Sequence, residues 1–278
     1  MSDLSNDIET LRLWRENNDR KSRETINMWN ETLGKNIDKL GKETHVILEQ
    51  VCLAALDFYN VDIAQKCIWR LYKEFPDSLR VKKLEAMYHE ASENYEKALS
   101  IINEIIKADP TNSAARKRKV AVLKAQNKIP EAIKELVDYL KIFMVDAEAW
   151  QELSELYLTE NDYNKAAFCI EELLLHNPHN HLLHQRLADI RYTQGGFENL
   201  ELARAYYCQA VKLNPKNLRA LLGLHMTVSN LQYAPRSTPQ KKKENQQLSQ
   251  WALEEIRKMY SKETAVESLE DRLSALQL

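Results

Sequence analysis

Four histidines stand close together in the segment "HNPHNHLLH": His176, His179, His181 and His184. Imidazole nitrogens at this density are typical ligands of Zn²⁺ or Ni²⁺. However, no cysteine or carboxylate lies in register with them, and Pro178 divides the cluster because proline ends a helix. We therefore expect no physiological metal ion at these histidines.

The four cysteines, Cys52, Cys67, Cys169 and Cys208, are far apart in the sequence and form no Cys-x-x-Cys motif. Such spacing predicts neither a disulfide framework nor a thiolate zinc site. We expect these side chains to be small buried hydrophobes in a reducing compartment.

The run "ARKRKV" contains four consecutive basic residues, Arg116 to Lys119. Short basic runs can mark a nuclear address or a nucleic-acid contact. On a helix, however, consecutive residues are about 100° apart, so these four side chains cannot form one basic face. We expect Lys117 and Lys124 to share a face, while the stem of Arg116 packs and its charge meets an acidic neighbour.

Catalytic motifs are absent from the sequence: there is no G-x-S-x-G, H-E-x-x-H, Walker loop or G-x-G-x-x-G. The pair Gly195-Gly196 follows no predicted strand, so it is interpreted as the end of a helix rather than a phosphate-binding loop. The sequence predicts neither an enzyme nor a cofactor.

The elements that position these residues repeat along the chain. Alanines recur at a step of 34 residues, with a last step of 37: Ala64, Ala98, Ala132, Ala166 and Ala203. Prolines keep nearly the same step, with Met144 at the one place where proline is missing: Pro76, Pro110, Pro178 and Pro215. A period of this length predicts a solenoid of helix pairs.

Residues 147–180 match the tetratricopeptide pattern most clearly. Trp150, Leu153, Ser154 and Tyr157 fit W-x-x-L-G-x-x-Y, and Ala166 and Pro178 follow at the expected distances. Small residues allow the two helices of a pair to approach closely, and proline ends the second helix. We predict five helix pairs, at about 45–75, 79–109, 113–143, 147–177 and 181–214, with a sixth opening at 218.

Composition agrees with an all-α solenoid, because the chain has only 5 glycines and 7 prolines in 278 residues. We predict an N-terminal helical cap at 1–44, a tetratricopeptide-repeat solenoid at 45–231, a flexible loop at 232–247 and C-terminal capping helices at 248–278. The sequence has no apolar run of the roughly 20 residues that span a bilayer and no signal-peptide core, which indicates a soluble chain that is not secreted.

The first helix of each pair should line an extended binding groove. The predicted groove residues are Arg80, Lys83, Met87, Lys117, Lys124, Glu148, Gln151, Glu155, Gln185, Asp189 and Tyr192. Residues 79–124 carry ten basic and six acidic side chains, whereas residues 146–172 carry one basic and eight acidic. The groove is therefore expected to change sign along its length, unless these are simply mixed solvated faces.

Several longer segments resemble a narrower family, the second subunit of the endoplasmic reticulum membrane protein complex. The resemblance is dense over residues 105–225 and recognisable from about 45, and it is most specific in "NPHNH" and in "YTQGGFENLELAR". It implies a non-catalytic scaffold, peripherally bound at the cytoplasmic face of the endoplasmic reticulum membrane. It also implies a hetero-oligomer whose repeats hold cytosolic segments of membrane-embedded subunits and contact another soluble subunit.

In that family the complex is an insertase for tail-anchored and multipass membrane proteins. The resemblance implies that this chain has a scaffold role in such a complex.

The alternative function is a tetratricopeptide chaperone adaptor that binds acidic peptide segments. Ala121 and Met87 argue against it, since they occupy positions where a carboxylate clamp needs polar side chains. A third hypothesis, an RNA-associated repeat factor, depends on the basic run alone, and the net charge of −2 argues against it.

Overall fold

The structure is a computed structural model that describes residues 2–260. Across this range it is built from helices and contains no strand, which confirms the predicted all-α class. The chain divides into two compact units, residues 1–139 and 140–278. Part of the predicted C-terminal cap, residues 261–278, lies outside the described residues.

Five helix pairs begin within one residue of their predicted starts. They are α3 (Thr44–Asp57) with α4 (Val61–Glu74), α5 (Leu79–Ala91) with α6 (Tyr95–Ala108), α7 (Ser113–Ala125) with α8 (Ile129–Leu140), α9 (Ala147–Thr159) with α10 (Tyr163–His176), and α11 (His181–Gln194) with α12 (Phe197–Leu213). The 34-residue period therefore determines where the helices lie.

Periodic N-caps start the first helices of three successive pairs. Asn112, Asp146 and Asn180 accept hydrogen bonds from the backbone N–H groups of Ala115, Ala149 and Leu182, at 3.0, 3.2 and 2.9 Å. Asn and Asp are favoured there because their short side chains satisfy an N–H that has no partner inside the helix.

The recurring alanines lie at the contacts between helices. All five, Ala64, Ala98, Ala132, Ala166 and Ala203, are completely buried. In the fourth pair the Ser154 hydroxyl donates to the backbone oxygen of Ala166 at 3.0 Å, which joins α9 to α10. In the first pair, Cys52 Sγ lies 3.9 Å from the corresponding oxygen of Ala64. A larger side chain at the alanine position would push the two helices apart.

The N-terminal region consists of α1 (Ser2–Glu16), α2 (Ser22–Met28), a π-helical turn (Trp29–Leu33) and two 3₁₀ turns (Ile37–Lys39 and Gly41–Glu43). Its buried side chains Leu11, Trp29 and Leu33 belong to the same apolar core as Ile47 and Leu48 of α3. The predicted N-terminal cap is thus a helical layer packed on the first repeat.

The predicted flexible loop at 232–247 is wrong over most of its length. Helix α13 (Leu218–Tyr233) is followed after five residues by α14 (Pro239–Tyr260). Pro239 is tolerated because it occupies the first helical position, where a backbone N–H would have no partner. Thr238 Oγ1 accepts from the N–H of Lys241 at 3.3 Å. Pro239, inside the predicted loop, therefore begins a helix.

The cysteines are free thiols. Cys52, Cys67 and Cys169 are buried and Cys208 is half-buried, as the sequence predicts. Burial raises the pKa of Cys67 and of Cys169 to about 12. Across residues 2–260, no helix combines the length and the apolar character needed to cross a membrane.

Candidate functional site

A cavity of about 440 Å³ lies in the first unit, between the N-terminal helices and the first helices of the repeats. Helix α1 contributes Trp14 and Arg15, the link to α2 contributes Arg20, α5 contributes Met87, and α7 contributes Arg118. Met87, one of the predicted groove residues, therefore lines this cavity.

Side chains of the first helices hold the arginines of this cavity in place. Arg15 Nη1 donates to Gln50 Oε1 at 2.9 Å, Arg20 Nε donates to Asp57 Oδ2 at 2.7 Å, and Arg118 Nη1 donates to Glu90 Oε2 at 2.6 Å. A guanidinium has five N–H donors in a fixed fork. Each arginine can therefore keep its internal partner and still offer donors to a bound chain.

Asp57 is the acidic anchor on the wall of the cavity. Hydrogen bonds from Arg20, and then from Ser22 at 2.6 Å, hold the pKa of Asp57 below its ordinary value. The carboxylate therefore stays ionised at neutral pH and fixes the segment that links α1 to α2 against α3.

The other basic residues predicted for the groove have different environments. Arg80 donates from Nε to Glu49 Oε1 of α3 at 2.8 Å, so it links the first two repeats. Lys83 is exposed. Lys117 is half-buried, with Nζ 5.9 Å from the centroid of the Tyr139 ring, and Lys124 is exposed. The four residues therefore differ in their burial.

In the second unit, helix α9 presents the acidic part of the predicted groove. Glu148, Gln151 and Glu155 are all exposed. Glu155 Oε1 lies 4.0 Å from Nη2 of Arg186 on α11, with 56% of the Glu155 side chain exposed. This face is accessible to a partner and carries negative charge.

The predicted groove residues of the fifth pair are buried or half-buried, unlike the exposed residues of α9. Gln185, which was expected to face outward, is buried with 9% exposure. Asp189 accepts from the Tyr207 hydroxyl at 2.6 Å and from Arg219 at 3.1 Å, and the Tyr192 hydroxyl accepts from Asn230 at 3.0 Å. The cause is that α13 packs on α11, so these positions make contacts inside the unit.

One hydrogen bond repeats at the fourth position of three successive first helices. Arg116 Nε, Trp150 Nε1 and His184 Nε2 lie 3.0, 2.8 and 2.8 Å from the backbone oxygens of Pro110, Met144 and Pro178, respectively. Donors and acceptors are each 34 residues apart. Three different side chains thus make the same contact, which closes the junction between successive pairs.

Two of the four clustered histidines and Arg116 of the basic run make structural contacts, whereas His176 and His179 are exposed. His184 makes the junction bond, and both ring nitrogens of His181 are within 3.2 Å of the side-chain amides of Asn214 and Asn217. No group of three or more His, Cys, Asp or Glu within residues 2–260 is arranged to hold a metal ion. In the basic run, Arg116 is half-buried and its Nη1 lies 3.4 Å from Glu135, as predicted for a packed stem with an acidic neighbour.

Most of the cavity residues, in particular Arg15, Arg20 and Asp57, were not predicted from the sequence. They lie outside the matched repeat positions, and their contacts join residues up to 37 positions apart. Asp57 is the last residue of α3 and does not correspond to any of the predicted groove positions when these are shifted by the 34-residue step. The arrangement offers donors next to the Met87 and Trp14 side chains, which suits non-covalent binding of a peptide segment.

Comparison with known proteins supports the repeat fold. The model of the "EMC2 TPR-like repeat domain" family matches residues 43–198, and a tetratricopeptide-repeat model matches residues 192–217. Among solved structures, the C-terminal part of a TPR repeat-containing protein from Cytophaga hutchinsonii superimposes with a TM-score of 0.66, at 14% identity, covering 95% of this chain and 98% of that one. That similarity supports the fold alone.

Curated relatives identify the family. The chain is 46% identical to "ER membrane protein complex subunit 2" of Xenopus tropicalis, over 97% of this chain and 94% of the relative. It is 32% identical to the protein of the same name in Dictyostelium discoideum, over 80% and 73% of the two chains. Similarity to this subunit and to its repeat-domain family points to a scaffold rather than an enzyme. The chain therefore belongs to the family of ER membrane protein complex subunit 2, a tetratricopeptide-repeat subunit of that complex.

Proposed function

We propose that the chain is a non-catalytic scaffold that organises the cytosolic side of an insertase for tail-anchored and multipass membrane proteins. In this role it lies peripherally at the cytoplasmic face of the endoplasmic reticulum membrane. It holds cytosolic segments of membrane-embedded subunits and contacts another soluble subunit. Family membership supports the place in the complex, and the lack of a membrane-spanning helix in residues 2–260 is consistent with a peripheral subunit.

The cavity around Met87 is the observation that carries the binding role. Its volume of about 440 Å³ accommodates one or two side chains of a bound segment. Arg15, Arg20 and Arg118 surround it with fixed donors, while Met87 adapts its shape to different apolar groups. Backbone and side-chain carbonyl groups of an extended segment are the acceptors that such donors suit.

The exposed face of α9 is proposed as a second contact. Glu148, Gln151 and Glu155 lie on it, and their acidic character suits a basic juxtamembrane or cytosolic segment. The two faces differ in charge, so a partner is expected to bind each of them through a segment of matching polarity.

The test is purification of the tagged full-length chain from detergent-solubilised endoplasmic reticulum membranes. The wild-type chain is expected to recover integral membrane proteins and to support insertion of a tail-anchored reporter. Met87→Trp, which fills the cavity, should reduce both, and Glu155→Arg should weaken the contact at α9. Met226→Trp is the matched control, because Met226 is 45% exposed in the second unit and lines no proposed site.

Recovery of the chain only as a free soluble monomer would rule out the scaffold role. If Met87→Trp and Met226→Trp recovered the same amounts of partner proteins, the cavity would not be a partner-binding site, although the chain could still be a scaffold.

The chaperone-adaptor alternative depends on exposed cations such as Lys83. Binding of an acidic peptide that is lost in Lys83→Ala and Lys117→Ala would favour it.

A further inference from the structure

A second recess, of about 350 Å³, lies in the first unit between the π-helical turn and α4. The turn and the residues after it contribute Trp29, Lys35 and Ile37, and α4 contributes Lys66, Trp69 and Arg70. It is built from the second helix of the first pair, whereas the proposed groove uses first helices. None of these six residues belongs to a function proposed above.

Positive charge at this recess is only weakly neutralised. Lys35 and Lys66 are both exposed, and neither makes an ion pair or hydrogen bond through its side chain within residues 2–260. Arg70 meets Asp38 at 3.5 Å, but the Asp38 side chain is 95% exposed, so water screens this pair. Three cations around one concave site favour an anionic ligand.

Aromatic side chains form the apolar part of the same site. Trp29 is buried with 7% exposure and forms one wall, while Trp69 is 58% exposed. Lys73 Nζ lies 3.6 Å from the centroid of the Trp69 ring, which restrains the indole and brings a fourth cation to the edge of the site. Tyr72 on the same helix is 48% exposed. A large exposed tryptophan beside a recess is typical of a binding anchor.

We propose that this recess, which we call the α4 recess, binds an acidic protein segment that also carries an aromatic or aliphatic side chain. The carboxylates pair with Lys35, Lys66 and Arg70, and the apolar side chain enters between Trp29 and Trp69. A membrane surface fits less well, because the exposed carboxylate of Asp38, 3.5 Å from Arg70, would repel anionic headgroups. A narrow peptide segment can avoid this carboxylate.

The test is binding of fluorescein-labelled peptides to the purified full-length chain, measured by fluorescence anisotropy. The probes are a peptide of alternating glutamate and phenylalanine, one of alternating glutamate and serine, and one of alternating lysine and phenylalanine. We expect the glutamate–phenylalanine peptide to bind most tightly and the lysine–phenylalanine peptide not to bind.

Two variants separate the charged and the apolar contributions. The double variant Lys35→Glu/Lys66→Glu should weaken binding of the glutamate–phenylalanine peptide about tenfold or more, since like charges then face each other. Trp69→Ser should abolish the preference for phenylalanine over serine. Lys97→Glu/Lys107→Glu is the matched control, because both lysines are exposed on α6 and lie outside the recess.

Equal loss of binding in the control variant would overturn the proposal, and so would undiminished binding in both recess variants. A third arm uses vesicles of phosphatidylcholine and phosphatidylserine. Vesicle binding that is lost in Lys35→Glu/Lys66→Glu, without peptide binding by the wild-type chain, would assign the recess to a lipid surface and overturn the protein-segment assignment. The outcome is independent of whether the chain acts as the scaffold proposed above.

Discussion

At the scale of single residues, the turns inside five helix pairs share one repeat position at which the backbone φ is positive. The residues at this position are Tyr59, Glu93, Asn127, Asn161 and Gly195, with φ between 54° and 73°. Their spacing is 34 residues throughout. Asparagine and glycine tolerate this conformation, whereas other residues are strained by about 1 kcal/mol or more. The repeat thus imposes a positive φ on residue types of very different preference.

Replacing Glu93 by glycine is expected to stabilise the first unit. Glu93 is exposed at the turn between α5 and α6, with φ 56°, so the substitution removes backbone strain and loses no buried contact. The gain should be up to about 1 kcal/mol, reduced by the greater entropy of glycine in the unfolded chain. Urea unfolding followed by circular dichroism measures it. Glu93→Ala keeps the strain and should show no gain; equal stabilisation by alanine would contradict the explanation.

The pairing of Asp57 predicts a pH dependence. Arg20 and Ser22 lower the pKa of Asp57 in the folded chain. Their interaction with the Asp57 carboxylate therefore stabilises the fold at pH values above the pKa of aspartate in the unfolded chain, about 3.9. This stabilisation is lost as the pH falls towards the lower pKa of Asp57 in the folded chain. Asp57→Asn should therefore reduce the melting temperature at neutral pH. Between about pH 4 and pH 2.5, the melting temperature of this variant should decrease less than that of the wild-type chain.

Thermal melts of both chains over that pH range measure this effect. Asp62→Asn is the control, since Asp62 is exposed on α4 and makes no ion pair with another described residue. If Asp57→Asn and the wild-type chain lost the same stability on acidification, the ion pair with Arg20 would not contribute to folding.

At the scale of helices, close approach within a pair depends on the buried alanines. Ala166 is completely buried between α9 and α10, where its backbone oxygen also accepts from Ser154. Ala166→Leu should cost about 1 to 3 kcal/mol, because the added methylene and methyl groups must displace packed neighbours. Chemical denaturation of the purified chain measures this cost.

Ala205→Leu is the matched substitution, since Ala205 is exposed on α12 in the same unit. It should change the free energy of unfolding by no more than about 0.5 kcal/mol. An unchanged midpoint for Ala166→Leu would mean that the alanine does not mark the contact between the two helices.

At the scale of the whole molecule, the thiols report how the two units unfold. Cys52 and Cys67 lie in the first unit, and Cys169 and Cys208 lie in the second. Burial raises the pKa of all four thiols, so the reactive thiolate is scarce near neutral pH. Under native conditions a thiol reagent is expected to modify Cys208 first, because it is only half-buried.

Labelling at increasing urea, with each cysteine identified by mass spectrometry, measures protection site by site. If the units unfold independently, Cys52 and Cys67 should become reactive together, at a urea concentration different from that for Cys169. A common midpoint would indicate one cooperative transition. Rapid modification of Cys52 in the native chain would contradict its burial.

Sequence alone determined the parts of this protein that repeat. The 34-residue step predicted the helix pairs, the buried alanines and the starts of the first helices, because each unit encodes the same local signals and packs on its neighbours. The segments "NPHNH" and "YTQGGFENLELAR" identified the family for a similar reason, since they are continuous in the chain.

Only the tertiary structure decided the contacts that join residues distant in the chain. It placed Arg20 on Asp57, brought Trp29 and Lys35 next to α4, and buried Gln185. None of these follows from a local period, because each depends on which helix face meets another. The fold was therefore predictable from periodicity, whereas both candidate binding recesses appeared only when non-repeating residues were packed against the repeats.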